Sequence, residues 1–146
     1  MNTATRPLRD VAQAVDMKPS VLRQLFETGV LKLRGDDKRS TGSGNKVGLS
    51  KNRAYEARIV QRLKLHGVTV SRAANAAFEF TINGGAGRAP GQLFPLRKTI
   101  LTLSPTGAGV ANLDFDARLS DLSNNGVAIV VDLNKVVADV DAALNS

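Results

Sequence analysis

KPSVLRQLFETGV, residues 18–30, is the stretch on which the reading of this chain turns. Pro19 suits the first turn of a helix, where a missing N–H is no loss. Val21, Leu22, Leu25 and Phe26 recur at helical spacing and define one apolar face. Lys18, Ser20, Arg23 and Gln24 fall largely on the other side. Gly29 stands where a helix ends. A short helix that buries one side and offers Arg, Gln and Ser on the other suits a DNA major groove. It is also what an ordinary amphipathic helix with a solvated face looks like, so its neighbours decide between the two.

Upstream, Leu8, Val11, Ala12 and Val15 make a short helical stripe, and residues 1–6 carry no pattern and are expected to fray. Asp16, Met17 and Lys18 form the turn between the two helices, with Met17 expected to point inward. Downstream, residues 30–33 (VLKL) alternate and favour a strand. Residues 34–47, RGDDKRSTGSGNKV, are polar, glycine-rich and basic, and read as a β-hairpin loop, or wing. There Lys38, Arg39 and Lys46 are placed to meet phosphates, with Ser40, Thr41, Ser43 and Asn45 as further donors. The alternative is a mobile surface loop of the same composition. Ser50 is a candidate N-cap for a helix over residues 51–66, with Tyr55, Ile59 and Leu63 on one stripe and Arg53 and Arg58 among its outward cations. Gly67 ends it, and Thr69 or Ser71 starts a fourth helix running to about Phe80. His66, the one histidine, reads as a cap or surface residue.

The charge distribution favours a polyanionic partner. The chain has 146 residues and a net charge of +7. Residues 1–80 hold 15 Lys/Arg against 7 Asp/Glu, whereas residues 81–146 hold 5 against 6. All the positive excess lies on the segment with the two-helix pattern, as expected of a nucleic-acid-binding head on a neutral tail. The alternative is a basic, solubilising face. A hydrophobic share of 42% supports a core, and 4% aromatic residues makes it an aliphatic one.

Residues of about 7–80 resemble the MerR-type winged helix-turn-helix. The parts occur in the family's order: LRDVAQAVDMKPSVLRQLFETGVLKL, a wing, then SKNRAYEARIVQRLKLHGVTVSRAANA. Leu22-Arg23 followed by Gly29-Val30-Leu31 matches the end of the family's recognition helix. The spacing from Ser50 to Gly67 matches that from the post-wing serine to the next helix-ending glycine. The family's second wing strand usually carries Tyr-Arg-x-Tyr, where this chain has Lys46-Val47-Gly48-Leu49. The resemblance implies DNA contacts from Arg23 and from the wing near Lys46, and a dimer. The family's long C-terminal coiled-coil helix has no counterpart here.

Residues 83–96 are rich in glycine and proline and read as a linker. No Gly-Lys-Ser/Thr follows, so this is not a phosphate loop. The remaining residues 97–146 read as a small α+β module for dimerisation or an accessory role. Its strands are expected at residues 98–103, 110–115 and 127–131, the last a buried β-branched run. A short helix is expected at residues 116–124. A final helix from Asp132 or Leu133 carries Val136, Val137, Val140 and Leu144 on one stripe. That stripe must bury itself against the head or against a second copy.

No catalytic constellation is found. Cysteine is absent and histidine single, so nucleophile–base pairs have almost nothing to draw on. Asp114 and Asp116, and Asp132, Asp139 and Asp141, read as solvated carboxylates rather than a metal site. No cofactor is expected. No apolar run is long enough to span a bilayer, so a cytoplasmic protein is the default.

The sequence thus predicts an α+β protein with a winged helix-turn-helix head at residues 7–82. It is expected to be a non-enzymatic, sequence-specific double-stranded-DNA binder, a transcriptional regulator acting as a homodimer or higher homo-oligomer. Lys18, Ser20, Arg23 and Gln24 would face bases, and Lys38, Arg39, Lys46, Arg53 and Arg58 the backbone. Two alternatives stand beside it. One is a phage or plasmid architectural or packaging factor, excisionase-like or small-terminase-like. The other is a protein-interaction module with a basic face. Whether a small-molecule effector exists is not legible.

Overall fold

A computed structural model describes residues 4–40, 47–85, 87–113 and 127–145. Among them the fold is α+β, with five helices and two small antiparallel sheets. Helix α1 (Leu8–Ala14) buries Val11 and Ala12, and Val15 just beyond it is also buried. The chain reverses through Asp16, whose φ of +58° is left-handed, and the Met17 amide returns to the Ala12 carbonyl at 2.8 Å. Met17 is half-buried against the core. Helix α2 (Pro19–Glu27) has Pro19 at its start and Leu22 and Leu25 on its buried side. Gly29, at φ +79°, closes it in the left-handed conformation that glycine tolerates best. The Leu31 amide then bonds back to the Leu25 carbonyl at 2.9 Å.

That closure is why residues 30–33 form no strand. Leu31 turns into the core instead, fully buried. At the base of the loop expected to form a wing, Lys38 and Gly48 exchange two backbone bonds of 2.8 Å, an isolated bridge. Strand β2 (Gly48–Leu49) pairs on its other side with β1 (Arg6–Pro7), so Arg6, expected to fray, is part of a sheet. Gly48 sits where a Cβ would meet the Thr5 side chain and the Lys38 Cβ, which explains a glycine between two crowded neighbours. Residues 41–46, the remainder of the wing, lie outside the described residues, as does the helix expected at 116–124.

Helices α3 (Lys51–Leu65) and α4 (Val70–Thr81) form the centre. Tyr55, Ile59 and Leu63 of α3 are buried together with Ala54, Ala57 and Val60. Ala73, Ala74, Ala76 and Ala77 of α4 are all buried, and such small side chains let the helices approach closely. Thr69 is the N-cap of α4, its hydroxyl accepting from the Arg72 amide. Residues 83–96 do not hang free between two units. The Arg88 guanidinium donates to the carbonyls of Glu79, Phe80 and Asn83 at 2.8–3.0 Å, capping the end of α4, and the Gly91 amide also bonds to Phe80 O.

Strand β3 (Lys98–Ser104) is the middle of a three-stranded sheet between β4 (Gly107–Leu113) and β5 (Ile129–Asp132), in the order β4-β3-β5. The β3–β4 hairpin turns on Pro105-Thr106 alone, since Ser104 pairs with Gly107, so β4 starts three residues before the expected position. β5 is not the buried run that its composition suggests. It lies at the side of the sheet, and Val130 is 46% exposed. Asp132 caps helix α5 (Leu133–Leu144), accepting from the Lys135 amide at 3.1 Å.

The stripe of α5 buries itself on the head. Leu133, Val136, Val140 and Leu144 belong to the same buried cluster as Val11, Leu22, Ile59 and Phe80, and α5 contacts α3 and α1. The Tyr55 hydroxyl of α3 donates to Asp141 of α5 at 2.7 Å, and burial with this neighbouring carboxylate pushes the phenol's pKa up. One continuous core predicts one cooperative unfolding unit. Leu133→Ala should cost about 2–5 kcal/mol and Tyr55→Phe about 1–2 kcal/mol in urea titrations followed by circular dichroism. A single transition should persist in both variants. Two separated transitions would show instead that the halves fold independently.

Candidate nucleic-acid interface

Four side chains singled out in the sequence lie together on α2. Lys18 precedes the helix as its N-cap residue, and Ser20, Arg23 and Gln24 follow on the solvent side; all four are exposed. Among the described residues none of the four side chains has a side-chain partner. The opposite face of α2 is fixed by Leu22 and Leu25 in the core. The polar face is therefore carried on a helix that cannot readily rotate. At the wing root Lys38 and Arg39 are also exposed, and Lys46 lies outside the described residues.

A groove of about 730 Å³ runs between α2 and the wing root. Leu8, Phe26, Leu33 and Val47 give it apolar lining, and Arg9 and Asp10 of α1 and Arg23 and Glu27 of α2 add charged lining. Arg6 and Arg9 are further cations on this side that no sequence motif singles out. Both are exposed, Arg6 on β1 and Arg9 on α1. The signal for Arg9 was present: it lies off the Leu8–Val11–Val15 stripe.

Two cations expected on the backbone-contacting face are not there. Arg53 is 2% exposed. Its guanidinium lies 3.4 Å from Asp36, 3.5 Å from Asp37 and 3.2 Å from Glu56. The carboxylates enclose it because an unpaired buried charge costs several kcal/mol, and an arginine so held does not reach a phosphate. Arg58 is 13% exposed at its side chain and points at the α1–α2 turn. It donates to the Val15 carbonyl at 3.1 Å and lies 4.0 Å from Asp139 of α5. Gln61, one turn on, donates to the Asp16 carbonyl. Burial, with the neighbouring Arg62 charge, lowers the Arg58 pKa from its ordinary value. Both residues build the site from behind.

The Arg53 cluster fixes the wing root. Asp37 accepts from the Arg34 and Ser50 amides, each at 2.8 Å, and so caps the start of α3. Ser50 is the N-cap residue in position, but its hydroxyl donates to Asp36 at 2.8 Å rather than receiving from the helix. Burial acts to raise the Asp36 pKa, and the Ser50 hydroxyl, the Arg53 charge and Asn52 outweigh it, so the group is held below its ordinary value. Glu56 behaves oppositely. Fully buried, with Thr81 donating to it at 2.6 Å, its pKa is pushed up to about 7 by burial, against the pull of Arg53. Arg34 packs over the Phe78 ring, its guanidinium carbon 5.1 Å from the centroid.

Among the described residues no three His, Cys, Asp or Glu side chains are grouped to hold a metal ion, and no helix is long and apolar enough to cross a membrane. His66 is the exposed C-cap of α3. No protein-family model matches the chain, and no curated protein matches it either.

The cluster has two measurable consequences. Between the ordinary glutamate pKa of 4.5 and about 7, the folded protein holds the Glu56 proton that the unfolded chain has released. Stability from this group is therefore complete below pH 4.5 and is lost as pH rises through 7. Glu56→Gln should remove that decline, giving a flatter unfolding free energy between pH 5 and 8 than the parent. Parallel pH profiles would show that Glu56 does not titrate in this range. Arg53→Met should cost about 3–5 kcal/mol, because it leaves the carboxyl groups of Asp36, Asp37 and Glu56 without the cation that pairs them. Denaturant unfolding at pH 7 measures this, and a loss below 1 kcal/mol would contradict the paired geometry.

Proposed function

We propose that this chain binds double-stranded DNA sequence-specifically through a helix-turn-helix formed by α1 and α2, flanked by a wing, and acts as a transcriptional regulator. The observation that carries the reading is the outer face of α2. It sets Ser20, Arg23 and Gln24 in a row behind Lys18, exposed, on a helix whose other face is locked in the core. Arg and Gln pair in two-pronged fashion with guanine and adenine edges in the major groove, and Ser accepts or donates there. Exposed Arg6, Arg9, Lys38 and Arg39 on the neighbouring elements supply sites for phosphate. This agrees with the concentration of positive charge in residues 1–80 and with the MerR-type order of parts.

Attraction to phosphates makes the affinity fall steeply with salt, and base contacts make it depend on sequence. In a regulator, two copies would engage two half-sites related by a twofold axis. The deciding experiment is selection from random duplex DNA at about 150 mM salt, where nonspecific attraction is already screened, with the mass of the complex determined alongside. An enriched palindrome bound by two copies is the expected outcome. Enrichment of nothing, with large assemblies on any duplex, would support the architectural or packaging alternative. Absence of binding would turn attention to a protein partner for the basic face.

On the selected site Arg23→Ala should weaken binding by about 1–3 kcal/mol and relax one base position. The double change Lys38→Ala, Arg39→Ala should weaken binding to all sequences alike and lower the salt slope by about 2. Filter binding across a salt series checks both. Equal loss on every sequence for Arg23→Ala would reassign it to phosphate.

A further inference from the structure

The outer face of α2 carries two residues that a purely phosphate-binding helix has no use for. Val21 is 39% exposed, although its sequence spacing assigns it to the apolar side. Among the described residues it is the one large apolar side chain exposed on α1 and α2. Glu27, at the other end of α2, is exposed and has no ion pair among the described residues. It lines the groove together with Arg23. A carboxylate aimed at phosphates is repelled, and an exposed valine gains nothing from them. Both become useful at base edges. The thymine methyl is an apolar contact, and the cytosine amino group is a donor that a carboxylate accepts.

Resting on the DNA reading above, we propose that Val21 and Glu27 are specificity-determining residues, Val21 packing on a thymine methyl and Glu27 accepting from a cytosine amino group, with Gln24 between them. The three are spaced three residues apart along α2. At 1.5 Å per residue, Val21 and Glu27 lie about 9 Å apart along the axis. Base pairs rise by about 3.4 Å, so the two contacts fall within about four consecutive pairs. The recognised core therefore contains a thymine and a cytosine two or three positions apart. Glu27 also repels the backbone of any duplex that does not present its cytosine, so it discriminates partly by excluding wrong sites.

The test compares the full chain with its Val21→Ala and Glu27→Ala variants. Both substituted side chains are exposed, and circular dichroism verifies that the variants fold. Each protein is run through selection from random duplex DNA at about 150 mM salt, and each is titrated with one fixed duplex that lacks the selected site. The parent should enrich a site with the thymine and cytosine at this spacing. Val21→Ala should lose preference at the thymine alone. Glu27→Ala should lose at least about fivefold of the preference at the cytosine alone, while binding the unselected duplex as well as the parent or better. Glu27→Gln should shift that position towards adenine, which a glutamine side chain pairs with. If the parent enriches a site and both alanine variants enrich the same one unchanged, this inference is overturned while the DNA reading stands. If the parent enriches nothing, the DNA reading fails first and takes the inference with it.

Discussion

A guanidinium that does not reach water holds the basic half of this protein together. Arg53 leaves solvent at the first turn of α3 and is met by two carboxylates from the loop after α2 and one from its own helix. Burying charge is costly, and it is offset only where partners are close and their remaining lone pairs are used. They are used in part here: Asp37 takes two backbone amides, Asp36 takes the Ser50 hydroxyl and Asn52, and one Glu56 oxygen takes Thr81, while the other Glu56 oxygen and the Nε and Nη1 of Arg53 make no hydrogen bond among the described residues. Three carboxylates around one arginine leave an excess of negative charge, with Arg34 the next cation to feel it. Burial then raises the pKa of the most buried member against the pull of Arg53, so Glu56 keeps its proton to near neutrality. The base of the loop after α2 is thus held by electrostatics together with the backbone bridge between Lys38 and Gly48.

The same economy of regular structure explains the C-terminal half. About fifty residues make a marginal core alone. Here they share one with the head, through α5 against α3 and α1 and through β3 and β4 against α4. The alanine-rich α4 leaves room for the sheet on one side and α3 on the other. Arg88 then satisfies the carbonyls at the end of α4, which would otherwise face the strap of residues 83–96 without donors.

Much of this was legible in the sequence because it depends on local rules. Pro19 and Gly29 bracket α2, Ser50 and Gly67 bracket α3, Thr69 starts α4 and Asp132 starts α5; each is a cap or a breaker whose effect is felt within one turn. What was not legible depends on who the neighbour is. Periodicity counts an arginine as outward-facing, yet residues 53–57 of α3 are buried all round. Only the Asp36-Asp37 pair, 17 and 16 residues upstream, hinted at a partner for Arg53. Residues 30–33 alternate like a strand, but the Leu31 amide is already committed to closing α2. β5 has the composition of a central strand and lies at the side of its sheet, because composition reports hydrophobicity and not strand order. For the candidate site the α2 face was readable, whereas the wing tip was visible only as composition.

Losing cations to the interior alters the argument for DNA binding without weakening it. Arg34, Arg53 and Arg58 count towards the charge of the head yet spend themselves on a ring, on carboxylates and on a backbone carbonyl. What remains exposed on α1, α2 and the wing root is a smaller set, in which Arg6, Arg9, Lys18, Arg23, Lys38 and Arg39 stand against Asp10, Asp16 and Glu27. The interior arginines serve the same face indirectly. Arg58 and Gln61 hold the carbonyls of Val15 and Asp16, the residues through which α1 hands the chain to α2. Arg58 also lies against Asp139, so the angle at which α2 leaves α1 is braced from α3 and, through it, from α5. On the proposed DNA reading, α2 would need such bracing to present its polar side chains in register, because rotation by one residue would turn that face away. The C-terminal helix is therefore part of the scaffold that aims α2, whatever else its module does.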